Sequence, residues 1–238
     1  MTPTWLVLDI ETVGRPDVAD YTDEIRAAGN LKDPEKIAAD LAKKRDEAIA
    51  NAALDWNANA IVAVGYQTEE TSEPTVLICR DVEEEAFALR RIWRVYQDRS
   101  RRLVTFNGAG FDIPTLVQRS RFLRVPVPRL DQRKYGNTDQ IDLYRLLTFD
   151  DTQRTFVIRR TLSNFCKLFA LDVPCDAHDG SDIARLVAEG DWDAIAAHVR
   201  TDVVKTRMLA ERLDVLAVTV PWSADDIGTV SKALDEAF

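Results

Sequence analysis

The stretch WLVLDI at residues 5–10 is apolar at every position until Asp9. A strand with one solvated face alternates apolar and polar side chains. An unbroken apolar run belongs instead to a strand covered on both faces, inside a sheet that carries helices on each side. The run ends in two acids, Asp9 and Glu11, with one residue between them. Side chains two apart on a strand point to the same face. Both carboxylates therefore project side by side from the C-terminal end of a buried strand, the place where open α/β sheets bind ligands. At ~4 Å and an effective dielectric near 20, their repulsion is roughly 4 kcal/mol. A shared proton, an arginine or a divalent cation has to offset it. Hard oxygen donors at a partly open site suit Mg²⁺ or Mn²⁺. The plain alternative is a solvated strand end with Glu11 starting a loop.

The rest of the chain supplies the layers such a strand needs. A helix is expected over 33–54, with Asp33 as its cap and Pro34 in its first turn. Strands are expected at 60–68 and 74–79, joined by the hairpin TEETSE, then an amphipathic helix at 82–100 and a strand at 103–107. A helix follows Asp112, an irregular basic loop covers 126–140, and helices lie near 141–148, 161–170 and 181–189. A long helix runs from about 192 to 214, and the tail from Pro221 adds a short one. Strands come early, helices late, with βα alternation between them, which makes the fold α/β with a mixed sheet. The 238 residues suit one domain, 1–238, with a helical insertion at 30–56 and a C-terminal extension from about 215.

No apolar run reaches the ~20 residues of a membrane span, so no membrane is expected as a partner. The opening MTPTWLVLDIET reads as a strand rather than a signal peptide, and a cytoplasmic location is expected. Cys79, Cys166 and Cys175 show no CxxC pairing and read as buried free thiols in a reducing compartment. The net charge of −9 speaks against a polyanionic partner, but its distribution does not. Residues 90–134 hold eleven arginines and one lysine against Asp98, Asp112 and Asp131, a net +9 that leaves −18 for the remainder. That segment is either a field that steers phosphates or a set of solvated helix faces with snorkelling arginines.

Three further residues stand out. His198 and Asp202 are four apart on the long helix and share a face with Ile195, Val199, Leu209 and Leu213. An aspartate in an apolar stripe is costly unless it is paired, here with an arginine, or binds a metal. His198 alone reads better as a satisfied core histidine, and its place one turn before Asp202 weakens that reading. Asp112, in TFNGAGFDIPTL at 105–116, follows a strand and a small-residue turn and either caps the next helix or carries chemistry. The GAG there is no dinucleotide fingerprint, because the third glycine would fall at Ile113. Asp142 reads as a helix start or a polar-face residue, and His178 as a polar-loop residue.

Taken together, LVLDIET, the N-x-x-x-F-D of Asn107 to Asp112 and the H-x-x-x-D of His198 to Asp202 resemble the DEDD superfamily of 3′–5′ exonucleases. Within it, the likeness is to standalone predicted exonucleases related to the proofreading domain of B-family DNA polymerases, which DGSDIARLVAEGDWDAI and QIDLYRLL also look like. The resemblance spans roughly residues 4–214. It implies a ribonuclease-H-like, mixed five-stranded sheet flanked by helices. It also implies removal of nucleoside 5′-monophosphates from the free 3′ end of single-stranded DNA or RNA. Two Mg²⁺ or Mn²⁺ ions would be held by Asp9, Glu11, Asp112 and Asp202, with His198 accepting a proton from the attacking water or orienting it. One departure stands: the superfamily pairs this three-residue spacing with tyrosine, whereas this chain has histidine.

Thr12 and Asn107 are candidate contacts to the terminal nucleotide, and Arg119, Arg121, Arg124 and Lys134 are candidates to track the strand's phosphates. A polymerase or repair partner would act in trans. The rival readings are a catalytically weak module that binds 3′ ends, an interaction domain with salt-bridged acids, and an endonuclease on a similar fold.

Overall fold

The computed structural model describes residues 4–99, 101–130, 140–148 and 160–217. The chain begins with β1 (Trp5–Gly14), followed by α1 (Pro34–Asn51), β2 (Asn59–Thr68), β3 (Thr75–Ile78) and α2 (Val82–Asp98). It continues with β4 (Arg102–Thr105), α3 (Asp112–Phe122), β5 (Gln140–Asp142) and α4 (Leu143–Thr148), and closes with α5 (Leu162–Leu168), α6 (Ile183–Glu189) and α7 (Trp192–Arg212). The strands form one mixed sheet in the order β3-β2-β1-β4-β5. β1 runs antiparallel to β2 and parallel to β4.

The unbroken apolar run of β1 is explained by this central place, since Leu6, Val7 and Leu8 are at most 1% exposed. Its even positions, Leu6, Leu8 and Ile10, pack with Leu89, Ile92 and Trp93 of α2 and Leu116 of α3. On the other face, Val7 packs with Val203 and Leu209 of α7. Asp9 and Glu11 share the odd parity of Val7, so the strand's own alternation aims both toward α7.

Asp33 caps α1 by accepting from the backbone N–H groups of Glu35 and Lys36, with Pro34 in the first turn. The α-helix stops at Asn51, and a 3₁₀ turn covers 52–54. The expected helix at 141–148 gives up its first two residues to β5, which is an edge strand parallel to β4. A three-residue strand has too little alternation to be legible in sequence. Of the basic loop, 126–130 lacks regular structure, while 131–139 and the helix proposed beyond Pro221 lie outside the described residues. Cys79 and Cys166 are buried, but Cys175 is exposed, because it sits in a polar loop and not on an element. No helix among the described residues is long and apolar enough to cross a membrane.

Part of the charge in the arginine-rich segment is paired within the protein. Arg101 is 3% exposed and pairs with Glu69 and Glu70. Arg99 pairs with Glu70.

Candidate functional site

α7 reaches the sheet because one side chain is missing. Gly65 of β2 stands opposite Asp9 in the strand register. A Cβ at Gly65 would lie 2.8 Å from Cγ2 of Val203 and 2.9 Å from Cγ2 of Val199. With that space open, Ile195, Val199 and Val203 bury completely. His198 and Asp202, on the same side of the helix, are thereby carried onto the acids of β1.

The four acids then act on one another. Burial first, and next the charges of Asp112, Glu11 and Asp202, hold Asp9 well above the usual carboxylate range, with Lys205 opposing. Its Oδ2 is buried without a hydrogen-bond partner among the described residues. Burial also raises Glu11, which is relieved by its hydrogen bond to His198. Asp112 is pushed up to about 7, chiefly by burial, while its own backbone N–H holds it down and the charges of Asp142 and Glu11 add to the rise. Buried acids that raise one another, with an oxygen that has no donor among the described residues, could be relieved by a divalent cation or by a shared proton.

Asp112 owes its place to the turn before α3. Asn107 takes up a left-handed φ of 65°. A Cβ at Gly108 would meet Oγ1 of Thr105 at 2.3 Å, so only glycine lets the turn close there. Asp142 fastens the turn: its Oδ1 accepts from the N–H of Asn107 at 2.8 Å and its Oδ2 from that of Ala109 at 3.0 Å. Oδ1 also accepts from the N–H of Tyr144 and of Arg145, so Asp142 starts α4 as expected. Its link to the Asp112 turn was not legible, because it crosses two strands.

His198 is 5% exposed, with Nε2 3.1 Å from Oε1 of Glu11 and Nδ1 2.8 Å from Oδ2 of Asp176. Burial works against its charged form, but the bond to Glu11 and the charges of Glu11, Asp202 and Asp176 prevail and push its pKa up to about 9. Asp202 is paired with Lys205 at 2.8 Å, and not with an arginine. Burial opposes the charge on Lys205, yet the hydrogen bond and charge of Asp202 raise its pKa.

Lys205 and Asp176 escaped the sequence reading. Lys205 was within reach, because it is seven residues after His198 and so returns to the same helix face. Asp176 lies outside regular structure, and no local signal ties it to α7. The ligand atoms of Asp176, His198 and Asp202 lie within 4.8 Å of one another, a spacing compatible with a cation.

The other candidates are placed as follows. Thr12 is buried and its Oγ1 donates to the carbonyl of Ala53 at 2.7 Å, so its hydroxyl proton is already committed. Asn107 is exposed at the rim. Arg121 and Arg124 are exposed near the far end of α3, and Arg121 donates to Gln118. At 1.5 Å per residue, Arg121 is about 14 Å along the helix from Asp112. Arg119 belongs to the core instead: it is 3% exposed and makes two 2.7 Å bonds to Glu85. Lys134 lies outside the described residues.

A family model described as "Predicted 3'-5' exonuclease related to the exonuclease domain of PolB" matches residues 54–224, which include Asp112, His198 and Asp202. A search of curated proteins found no match. Among solved structures, the chain is similar to the family B DNA polymerase from the hyperthermophilic archaeon Pyrobaculum calidifontis, with 18% identity and a TM-score of 0.58. That match covers 89% of this chain and 24% of the polymerase, so the chain spans about a quarter of the polymerase's length. At this identity the likeness speaks for the fold, a mixed five-stranded sheet flanked by helices.

Proposed function

Because the chain belongs to the family of predicted 3′–5′ exonucleases related to the exonuclease domain of PolB, we propose that it hydrolyses the terminal phosphodiester of single-stranded DNA or RNA from the 3′ end, releasing nucleoside 5′-monophosphates. The observation that carries this reading is Asp9: a buried carboxylate whose Oδ2 has no partner among the described residues, under the charges of Asp112, Glu11 and Asp202.

Asp9, Glu11, Asp112 and Asp202 would hold two Mg²⁺ or Mn²⁺ ions. Bound there, the ions would supply charge for the pentacovalent phosphorus and a water acidic enough to attack. The chain's own residues do the rest. β1 presents Asp9 and Glu11 on one face, and the Asp142-fastened turn presents Asp112. Nε2 of His198 lies 3.1 Å from Glu11, and its pKa, pushed up to about 9, favours a part in orienting Glu11 and an attacking water over accepting a proton at neutral pH. Asn107 at the rim is the candidate contact to the terminal nucleotide. Arg121 and Arg124 are the candidates to contact the phosphates of the following strand. Three free thiols suit a reducing, cytoplasmic setting.

A second reading, a module that binds 3′ ends without cutting them, draws on Lys205, whose ammonium already neutralises Asp202. One assay separates the two. A 5′-labelled single-stranded DNA and its RNA counterpart are incubated with Mg²⁺, Mn²⁺ or EDTA, using the natural chain and Asp9→Ala. A one-nucleotide ladder that needs metal and vanishes in Asp9→Ala is the expected result, and the better substrate names the sugar. Binding without any ladder supports the second reading, and internal fragments would indicate an endonuclease.

A further inference from the structure

The four-carboxylate site leaves one acid unused. Asp176 sits between α5 and α6, and its Oδ2 lies 2.8 Å from Nδ1 of His198 and 3.4 Å from Nζ of Lys205. Lys205 donates to Asp202 at 2.8 Å, and Nε2 of His198 lies 3.1 Å from Glu11. The contacts form a continuous run of alternating charge from β1 to α7: Glu11, His198, Asp176, Lys205, Asp202. The side chains of His198 and Lys205 are each 5% exposed, and that of Asp176 is 14% exposed.

This geometry answers a question that α7 cannot answer by itself. The ring torsion of a histidine is broad and roughly two-fold, so the helix backbone does not decide which ring nitrogen faces β1. A hydrogen bond at one nitrogen settles what the other presents. Asp176 is the acceptor at Nδ1, and it leaves Nε2 for Glu11. The same oxygen draws in Lys205, two helical turns further along the same face.

We infer that Asp176 is a positioning residue of the site, orienting His198 so that Nε2 meets Glu11 and bracing Lys205 against Asp202. The competing assignment makes Asp176 a metal ligand with His198 and Asp202. A cation at that place has to displace the Lys205 ammonium and open the Nδ1 contact, whereas the positioning role uses every contact as it stands. The catalytic consequence rests on the exonuclease reading, but the orientation of the ring does not.

The chain has two histidines, so His178→Gln leaves a single ring to observe in the full-length protein labelled with ¹⁵N-histidine. In that background the His198 ring N–H resonance is expected to be visible and hydrogen-bonded. Asp176→Ala removes it, Asp176→Asn retains it through its amide oxygen, and Asp176→Leu removes it while filling the volume should the alanine variant unfold. On 5′-labelled single-stranded DNA with Mn²⁺, Asp176→Ala is expected to lower kcat by about ten- to a hundredfold, as loss of a supporting hydrogen bond behind a ligand commonly does. KM stays unchanged, and Asp176→Asn recovers most of kcat. The Mn²⁺-dependent rise in Tm persists in all three variants.

An unchanged His198 resonance in both Asp176→Ala and Asp176→Leu overturns the inference. So does loss of the Mn²⁺-dependent rise in Tm on Asp176→Asn, which makes Asp176 a ligand. If the natural chain cuts nothing, the exonuclease reading fails, and the resonance alone decides the role of Asp176.

Discussion

Gly65 faces Asp9 across the β1–β2 register, and the missing side chain at Gly65 is what admits α7 to the site. Both nearest atoms to an added Cβ are methyl groups of fully buried valines, Val199 and Val203, so the helix cannot yield by moving a flexible chain end. Gly65→Ala is expected to cost about 1–3 kcal/mol, the usual price of overpacking a filled core. It should also lower kcat beyond what its Tm explains, because displaced α7 carries His198 and Asp202 with it. Thermal unfolding together with the 5′-label assay checks this. A variant with natural stability and rate would show that α7 does not need the close approach.

The titrating groups make stability depend on pH in a definite direction. Asp9, Glu11 and Asp112 have raised pKa values in the folded chain. Between the ordinary carboxylate range and the folded value, about 7 for Asp112, the folded state holds protons that the unfolded state has lost. That contribution is fully present below about pH 4 and disappears as the pH rises through the folded values. His198 acts in the same direction: its contribution is present below its ordinary pKa and lost as the pH rises through about 9. Without metal, Tm is therefore expected to fall from about pH 5 to about pH 9 on account of these groups. Mn²⁺ should raise Tm strongly near pH 8 and weakly near pH 5, because the ligands must be deprotonated to bind. A metal-free Tm that climbs over this range, or a larger Mn²⁺ effect at the lower pH, contradicts the assignment.

Arg119 and Arg121 are two residues apart, yet their substitutions should report different things. Removing Arg119 leaves Glu85 buried and unpaired, which costs about 3–5 kcal/mol. Arg119→Ala is expected to lower stability in chemical denaturation with or without nucleic acid. The double variant Arg121→Ala and Arg124→Ala should keep its stability and bind single-stranded DNA more weakly, with a shallower dependence on salt. Unchanged binding at low salt would remove both from the strand's path.

Asp142 offers a third test away from the metal ligands. In Asp142→Asn, an amide NH₂ turns toward a backbone N–H that the carboxylate formerly accepted. The cost of an unsatisfied buried donor is about 1–3 kcal/mol. The turn bearing Asp112 loosens with it, so the variant should need more Mn²⁺ for half-maximal activity. Natural Mn²⁺ dependence in a folded Asp142→Asn would confine this residue to starting α4.

What could be read from sequence was what is local. The unbroken run in β1, the parity of Asp9 and Glu11, the cap at Asp33 and the four-residue step from His198 to Asp202 follow from strand and helix periods alone, and the fold holds each of them. The three motifs in order carried the family as well. The readings that needed correction depended on pairing at a distance. Arg119 had the composition of a phosphate contact but found Glu85 of α2. For Asp202 the alternative to a metal was an arginine, but its partner is Lys205. Asp176 had no signal at all, because a loop residue acquires its partner only when the loop is laid against α7. Short-range periodicity is a property of the chain's covalent geometry, so the sequence determines it unaided. The ion pairs of the site are settled by which buried charges meet once the sheet and α7 have closed, and only the tertiary structure decides that.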